Sequence, residues 1–204
     1  QSFEKNSNYL KVMRYGNETL KTTLSQSLAQ YYDQKEAKKK KEEAYRRLSS
    51  VASIIDDDLL RYTGSEAVLV LPDGITTIST AAFSECTSLI SITIPNSVTT
   101  IDTLAFSKCT TLTSINIPDS VTTIGDCAFD GCQSLQSINI PDGVTTIGDC
   151  AFSDCESLQS INIPKSVTTI GHGAFYGCES LQSINIPDSV TTIGSRAFYK
   201  CKSL

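Results

Sequence analysis

The sequence predicts an α+β chain: a solenoid of six 23-residue coils joined by parallel β-ladders, preceded by an α-helical N-terminal segment. Two observations carry this expectation. From Leu71 onward one pattern returns every 23 positions without slipping, marked by Pro72, Pro95, Pro118, Pro141, Pro164 and Pro187. Residues 1–62, by contrast, contain no proline and hold a run of charge that no later unit contains. A fixed period of this size signals stacked units, none of which can bury its apolar face alone.

Within 1–62 a short helical piece is expected over 9–15, stopped by Gly16, with Asn17 as the N-cap of a longer helix. Leu20, Leu24, Leu28 and Tyr31 lie at three- and four-residue steps, as do Tyr45, Leu48, Ala52, Ile55 and Leu59, so each end carries an apolar stripe. Between them DQKEAKKKKEEAYRR is almost wholly charged, with Lys38, Lys39, Lys40 and Lys41 in succession. A helix polar all round spaces through solvent or meets an oppositely charged partner, so this one is a candidate for docking on another subunit. A turn near 50–62, with Ile55, Leu59 and Leu60, is expected to cap the apolar end of the first coil.

The solenoid is assigned to 63–204. In one unit Leu135, Ile138 and Ile140 form a Leu-x-x-Ile-x-Ile segment whose last two apolar residues alternate as in a strand, which Pro141 ends. Val144, Thr145, Thr146 and Ile147 are β-branched and predict a second short strand. Gly148 then turns the chain, and Cys-Ala-Phe-x-x-Cys fits a single helical or 3₁₀ turn. The chain starts at Gln1 rather than Met and stops at Leu204 inside a unit, so both ends are expected to be processed or truncated.

Neighbouring coils lie about 4.8 Å apart, so residues 23 positions apart fall into columns. Phe83, Phe106, Phe129, Phe152, Phe175 and Phe198 form one, expected to stack along the core. Cys86, Cys109, Cys132, Cys155, Cys178 and Cys201 form another, expected to be buried thiols donating weakly to turn carbonyls. Cys127 and Cys150 sit in a column that otherwise reads Ala81, Leu104, Gly173 and Arg196; a disulfide between them is the expected covalent bond in an oxidising compartment. A metal site from Cys127, Cys132, Cys150 and Cys155 would need ladder cysteines turned outward at an unusual spacing, so no metal or other cofactor is expected. The single histidine, His172, has no acid-and-nucleophile pattern around it and is expected at the surface, and no catalytic constellation is present.

A formal net charge of −5 argues against general nucleic-acid binding, and no apolar run reaches membrane-spanning length. Two surfaces are candidates for a protein partner. Outward strand positions give ranks of Ser91, Ser114, Ser137, Ser160 and Ser183, and of Thr93, Asn116, Asn139, Asn162 and Asn185, which either bond one another along the sheet or present a binding face. The units differ mostly around Ala-Phe, with Asp126, Asp130, Asp149 and Asp154 early and His172, Tyr176, Arg196, Tyr199 and Lys200 late. Drift on a free surface accounts for such variation, but Tyr and Arg are also the residues interfaces recruit.

The unit L-x-S-I-x-I-P-x-S-V-T-T-I-G-x-x-A-F-x-x-C-x-S, as it stands over 112–134, resembles the BspA-like leucine-rich repeat family across about 71–204; the helical region resembles nothing in that pattern. The resemblance implies a right-handed leucine-rich-repeat solenoid with one sheet on its concave side. It also implies a surface or secreted protein that binds matrix proteins or other cells. Two functions are therefore expected to compete: a non-enzymatic protein-binding or adhesion scaffold, and a structural subunit anchored in a larger assembly through its long helix. The triplet Asn17-Glu18-Thr19 matches a glycosylation sequon and favours the exterior.

Overall fold

The computed structural model describes residues 18–204. The short helical piece at 9–15, the Asn17 cap and the sequon asparagine lie outside the described residues. The chain divides into two units, one ending at Arg46 and one running Arg47–Leu204. The repeat-bearing unit thus takes in more of the chain than the 63–204 assigned from sequence.

One long helix, α1 (Glu18–Leu48, 31 residues), all but the last two residues of which fall in the first unit, spans roughly 46 Å at the usual rise. Of its expected stripes, Leu20, Leu24 and Leu28 fall outside the described side chains. Tyr31 and Tyr32 are 39% and 37% exposed and meet edge to face. The charged stretch supports itself through i,i+4 pairs, Lys40 with Glu36 and Lys39 with Glu43, each at 3.9 Å, and Lys41 lies 5.6 Å from the Tyr45 ring centre.

The helix does not continue through Ala52, Ile55 and Leu59. Residues 50–62 instead form an antiparallel hairpin of β1 (Ala52–Ile55) and β2 (Asp58–Tyr62), with a bulge between Ser53 and Ile54. Asp56 and Asp57, at φ 48° and 66°, make the tight two-residue turn that matches strand twist. The hairpin corrects the composition of the expected cap. Leu59 is fully buried, but Ile55 and Leu60 are 60% and 38% exposed; Tyr62 is the second buried residue, its ring 5.1 Å from Phe83. Because β2 pairs in parallel with β4 (Thr77–Ile78), Leu59 falls beside Ile78 and the hairpin serves as the first rung of the solenoid.

Each following coil contributes a three-residue strand and a two-residue strand. The former are β3 (Val68–Val70), β5 (Ser91–Thr93), β7 (Ser114–Asn116), β9 (Ser137–Asn139), β11 (Ser160–Asn162) and β13 (Ser183–Asn185), in one six-stranded parallel sheet. The latter, β6 (Thr100–Ile101), β8 (Thr123–Ile124), β10 (Thr146–Ile147), β12 (Thr169–Ile170) and β14 (Thr192–Ile193), continue from β4 as a second face. Between the faces the isoleucines, valines and leucines are buried, and the turn after each second strand drives Ala-Phe into the core. The phenylalanines stand in file with centroids 5.0 to 5.5 Å apart and planes within 7° of parallel. The last coil leaves the same columns open, with Ile186 38% and Ile193 49% exposed.

The second face is interrupted once: β8 and β10 do not pair, leaving sheets of five and three strands. At the same junction β7 and β9 share a single register pair, Ser114 with Ser137. Gly143 stands at this seam where three other coils carry a serine that donates to the preceding coil: Ser120 to Val98 O and Ser166 to Val144 O, both at 2.6 Å, and Ser189 to Val167 O at 2.8 Å. In the first two coils the same column holds Gly74 and Ser97, whose hydroxyl accepts the Gly74 N–H at 2.8 Å. The turn side stays closed, with Cys127 N–H donating to Asp149 O at 2.8 Å and Phe129 N–H to Ala151 O at 2.9 Å.

Candidate protein-interaction surface

The turn that buries Ala-Phe is held by two left-handed residues per coil. One column runs Ala81, Leu104, Cys127, Cys150, Gly173 and Arg196 at φ 52° to 58°; the other runs Glu85, Lys108, Gly131, Asp154, Gly177 and Lys200 at φ 51° to 70°. Side chains there leave the core, so these columns decide what the turn shows to solvent. In the last coils they place Arg196 and Lys200 on either side of Tyr199.

Tyr199 is 57% exposed and stacks on Tyr176 at 5.6 Å, one coil earlier in the same column. The Lys200 amine lies 5.0 Å from the Tyr176 ring centre, and hydrogen bonding to that tyrosine raises its pKa above the usual lysine value. Tyr176, Tyr199 and Lys200 therefore form one contiguous cluster, with Arg196 at the start of the same turn. Its neighbour His172 is exposed, and its Nδ1 and the Ser195 hydroxyl are 2.7 Å apart.

The acidic residues of this edge are built in differently from what their variability suggests. Asp126 Oδ1 accepts the Asp149 N–H at 2.8 Å, and Asp149 Oδ1 accepts the His172 N–H at 2.7 Å, so both fasten one coil to the next. Asp130 sits half-buried between Ser107 and Ser153, and burial raises its pKa despite hydrogen bonds from both serines.

The ladder cysteines lie where the turn carbonyls are. Cys109, Cys132, Cys155, Cys178 and Cys201 each donate to the carbonyl of a phenylalanine 26 residues earlier, at 3.0 to 3.2 Å. Burial pushes the Cys109 and Cys178 thiols up to about 12. Cys127 and Cys150 are part-exposed thiols. Among the described residues no group of three or more His, Cys, Asp and Glu side chains could hold a metal ion, and no helix is long and apolar enough to cross a membrane.

On the strand side, Asn139, Asn162 and Asn185 project from the six-stranded sheet in register and Asn116 lies in register with Thr93, with the Ser114, Ser137, Ser160 and Ser183 rank beside them. Among the described residues none of these side chains bonds a neighbour, so the ladder is not held together by its own amides. Asn162 and Asn185 border a groove of about 930 Å³ with Pro164, Pro187, Lys165 and Asp188. The tyrosine cluster lies on the turn, on another side of the coil, so the two candidate surfaces are separate. Val68 and Val70, 65% and 66% exposed, continue the serine and threonine–asparagine ranks at the sheet edge. The sequence reading missed them, although counting back 23 residues from Ser91 and Thr93 finds both.

A family model described as a BspA type leucine rich repeat region matches the chain in six copies, over residues 53–167 and 99–204. Among solved structures, a leucine rich repeat protein of T. pallidum is 31% identical with a TM-score of 0.62, the match covering 75% of this chain and 86% of that one. A leucine rich cell surface protein from Faecalibacterium prausnitzii A2-165 is 29% identical with a TM-score of 0.54, covering 75% and 51%. A leucine-rich repeat protein from Eubacterium ventriosum ATCC 27560 is 27% identical with a TM-score of 0.55, covering 71% and 46%. The chain spans about half the length of the last two. A search of curated proteins gives no match.

Proposed function

The chain belongs to the BspA-type leucine-rich repeat family, and on that premise we propose that it is a non-enzymatic protein-binding scaffold whose contact site is the cluster of Tyr176, Tyr199 and Lys200 with Arg196. One observation carries the reading: two stacked tyrosines, Tyr199 exposed and Tyr176 half-buried, and two cations are gathered on a turn whose backbone is fixed by the coils beneath it. Rigid aromatic anchors supply contact area at small entropic cost, and Tyr and Arg dominate the energy of known interfaces. On a chain of net charge −5 these cations favour a partner with an acidic rim. The unbonded asparagine rank is a secondary contact surface. Cell-surface placement is supported by the Faecalibacterium relative, which is described as a cell surface protein.

A second reading, docking through α1 in a larger assembly, draws support from the helix's charged run, most of whose side chains are exposed. One capture experiment separates the two. Full-length chain, the Tyr176→Ala/Tyr199→Ala variant and a chain lacking 1–46 are each used to retrieve partners. Loss with the tyrosine variant supports the turn site; retention with that variant and loss on removing 1–46 overturns it in favour of the helix.

A further inference from the structure

Two of the eight cysteines stand outside the ladder that holds the other six. Cys127 and Cys150 occupy equivalent positions of adjacent coils, are part-exposed, and their thiols hydrogen-bond to each other. Their backbones share one conformation, φ 54° and 52°, so the two Cα–Cβ bonds leave the turn in the same direction. Coils about 4.8 Å apart place the Cα atoms inside the range of about 4.4 to 6.8 Å that a disulfide spans. The pair also straddles the seam, since Cys127 follows β8 and Cys150 follows β10, the two strands that fail to pair.

We propose that Cys127 and Cys150 form a thiol–disulfide exchange site that reacts with small-molecule disulfides and, once closed, staples the seam between the coils of β8 and β10. The chemistry balances in two steps. The Cys127 thiolate attacks a disulfide RSSR, forming a Cys127–SR bond and releasing RS⁻, which takes up the proton lost by Cys127. The Cys150 thiolate then attacks the Cys127 sulfur and expels a second RS⁻, which takes the Cys150 proton. Two electrons pass from the cysteine pair to RSSR, which leaves as two RSH. The surroundings make the site slow at neutral pH. Burial, then the Cys150 thiol and the Asp130 and Asp126 carboxylates, push Cys127 up to about 11; burial, Asp130, Asp149 and Asp126 also raise Cys150. Exchange therefore accelerates about tenfold per pH unit below that value.

The test uses the full chain, folded and without denaturant, with excess oxidised glutathione at pH 7.5 and 9. Thiols are counted after unfolding, and a protease that cuts at aspartate separates Cys127 from Cys132 and Cys150 from Cys155. The expected result is a fall from eight thiols to six, faster at pH 9, and a peptide pair joining Cys127 to Cys150. Hydrogen exchange over 143–148 should slow, and the thermal midpoint should rise by several degrees. Cys127→Ser and Cys150→Ser should each abolish the link while melting like the reduced parent. A link to a ladder cysteine such as Cys132, a mixed disulfide that never closes, or eight surviving thiols at pH 9 would each overturn the proposal.

Discussion

Gly143→Ser should stabilise the solenoid, and the neighbouring coils supply the magnitude. Ser120, Ser166 and Ser189 occupy the same place in their coils and donate to a valine carbonyl at 2.6 to 2.8 Å. A Cβ on Gly143 would lie 3.2 Å from Val121 O and 3.2 Å from Thr122 Cγ2, a tight fit in which an exposed methyl and a backbone carbonyl must each give by a few tenths of an ångström. The new hydrogen bond should contribute about 0.5–1.5 kcal/mol. Removing glycine from the unfolded chain adds about 0.4–1 kcal/mol. Relieving the two contacts takes back part of this, leaving about 1 kcal/mol, or roughly 2–4 °C in the midpoint of a chain this size. Ser166→Gly should lose a similar amount. Urea titration followed by circular dichroism measures both. A loss in both variants would show that the seam is set by something other than the missing hydroxyl.

Phe129→Ala should cost about 3–5 kcal/mol, since the ring is fully buried and stacks on both sides at 5.4 and 5.5 Å, whereas Phe198→Ala, half-exposed with one neighbour at 5.5 Å, should cost about half as much; equal losses would refute the file. Stability should fall in alkali. Cys109 and Cys178 are held protonated up to about 12 when folded but ionise near 9 when unfolded, so their contribution is complete below 9 and is lost as pH rises toward 12. A melting temperature scanned from pH 7 to 11 under reducing conditions should decline above about pH 9, and a flat profile would contradict the assignment. Tyr62→Ala should lower the melting temperature of the repeats by uncovering Phe83 and releasing the Glu66 carboxylate that the phenol bonds; an unchanged melt would deny the hairpin a capping role.

The columns were legible because a solenoid writes its contacts into the period: residues 23 apart are neighbours, and Phe, Cys and Ile recur at that spacing. The hairpin was not. Ala52, Ile55 and Leu59 fit a helical stripe as well as a bulged strand pair, and the turn is Asp-Asp, lacking the glycine that usually announces such a turn. Variation around Ala-Phe was read as freedom, yet Leu104, Cys127 and Arg196 all hold a left-handed backbone, and Asp126 and Asp149 bind the next coil's N–H. Comparing types at a position shows where chemistry differs; it does not show which side chains have turned back to their own backbone. The tyrosine cluster was visible as residues, but the stacking needs the coil geometry.

Each kind of side-chain bond that ties coil to coil reaches its own set distance along the chain: 22 residues from Ser189 to Val167, 23 from Lys202 to Glu179, 26 from Cys178 to Phe152. A gene encoding such a protein can gain or drop one whole unit by in-frame recombination, and the codons on either side still specify a matching surface. Length thereby becomes an inherited variable that selection can tune separately from what any single turn displays.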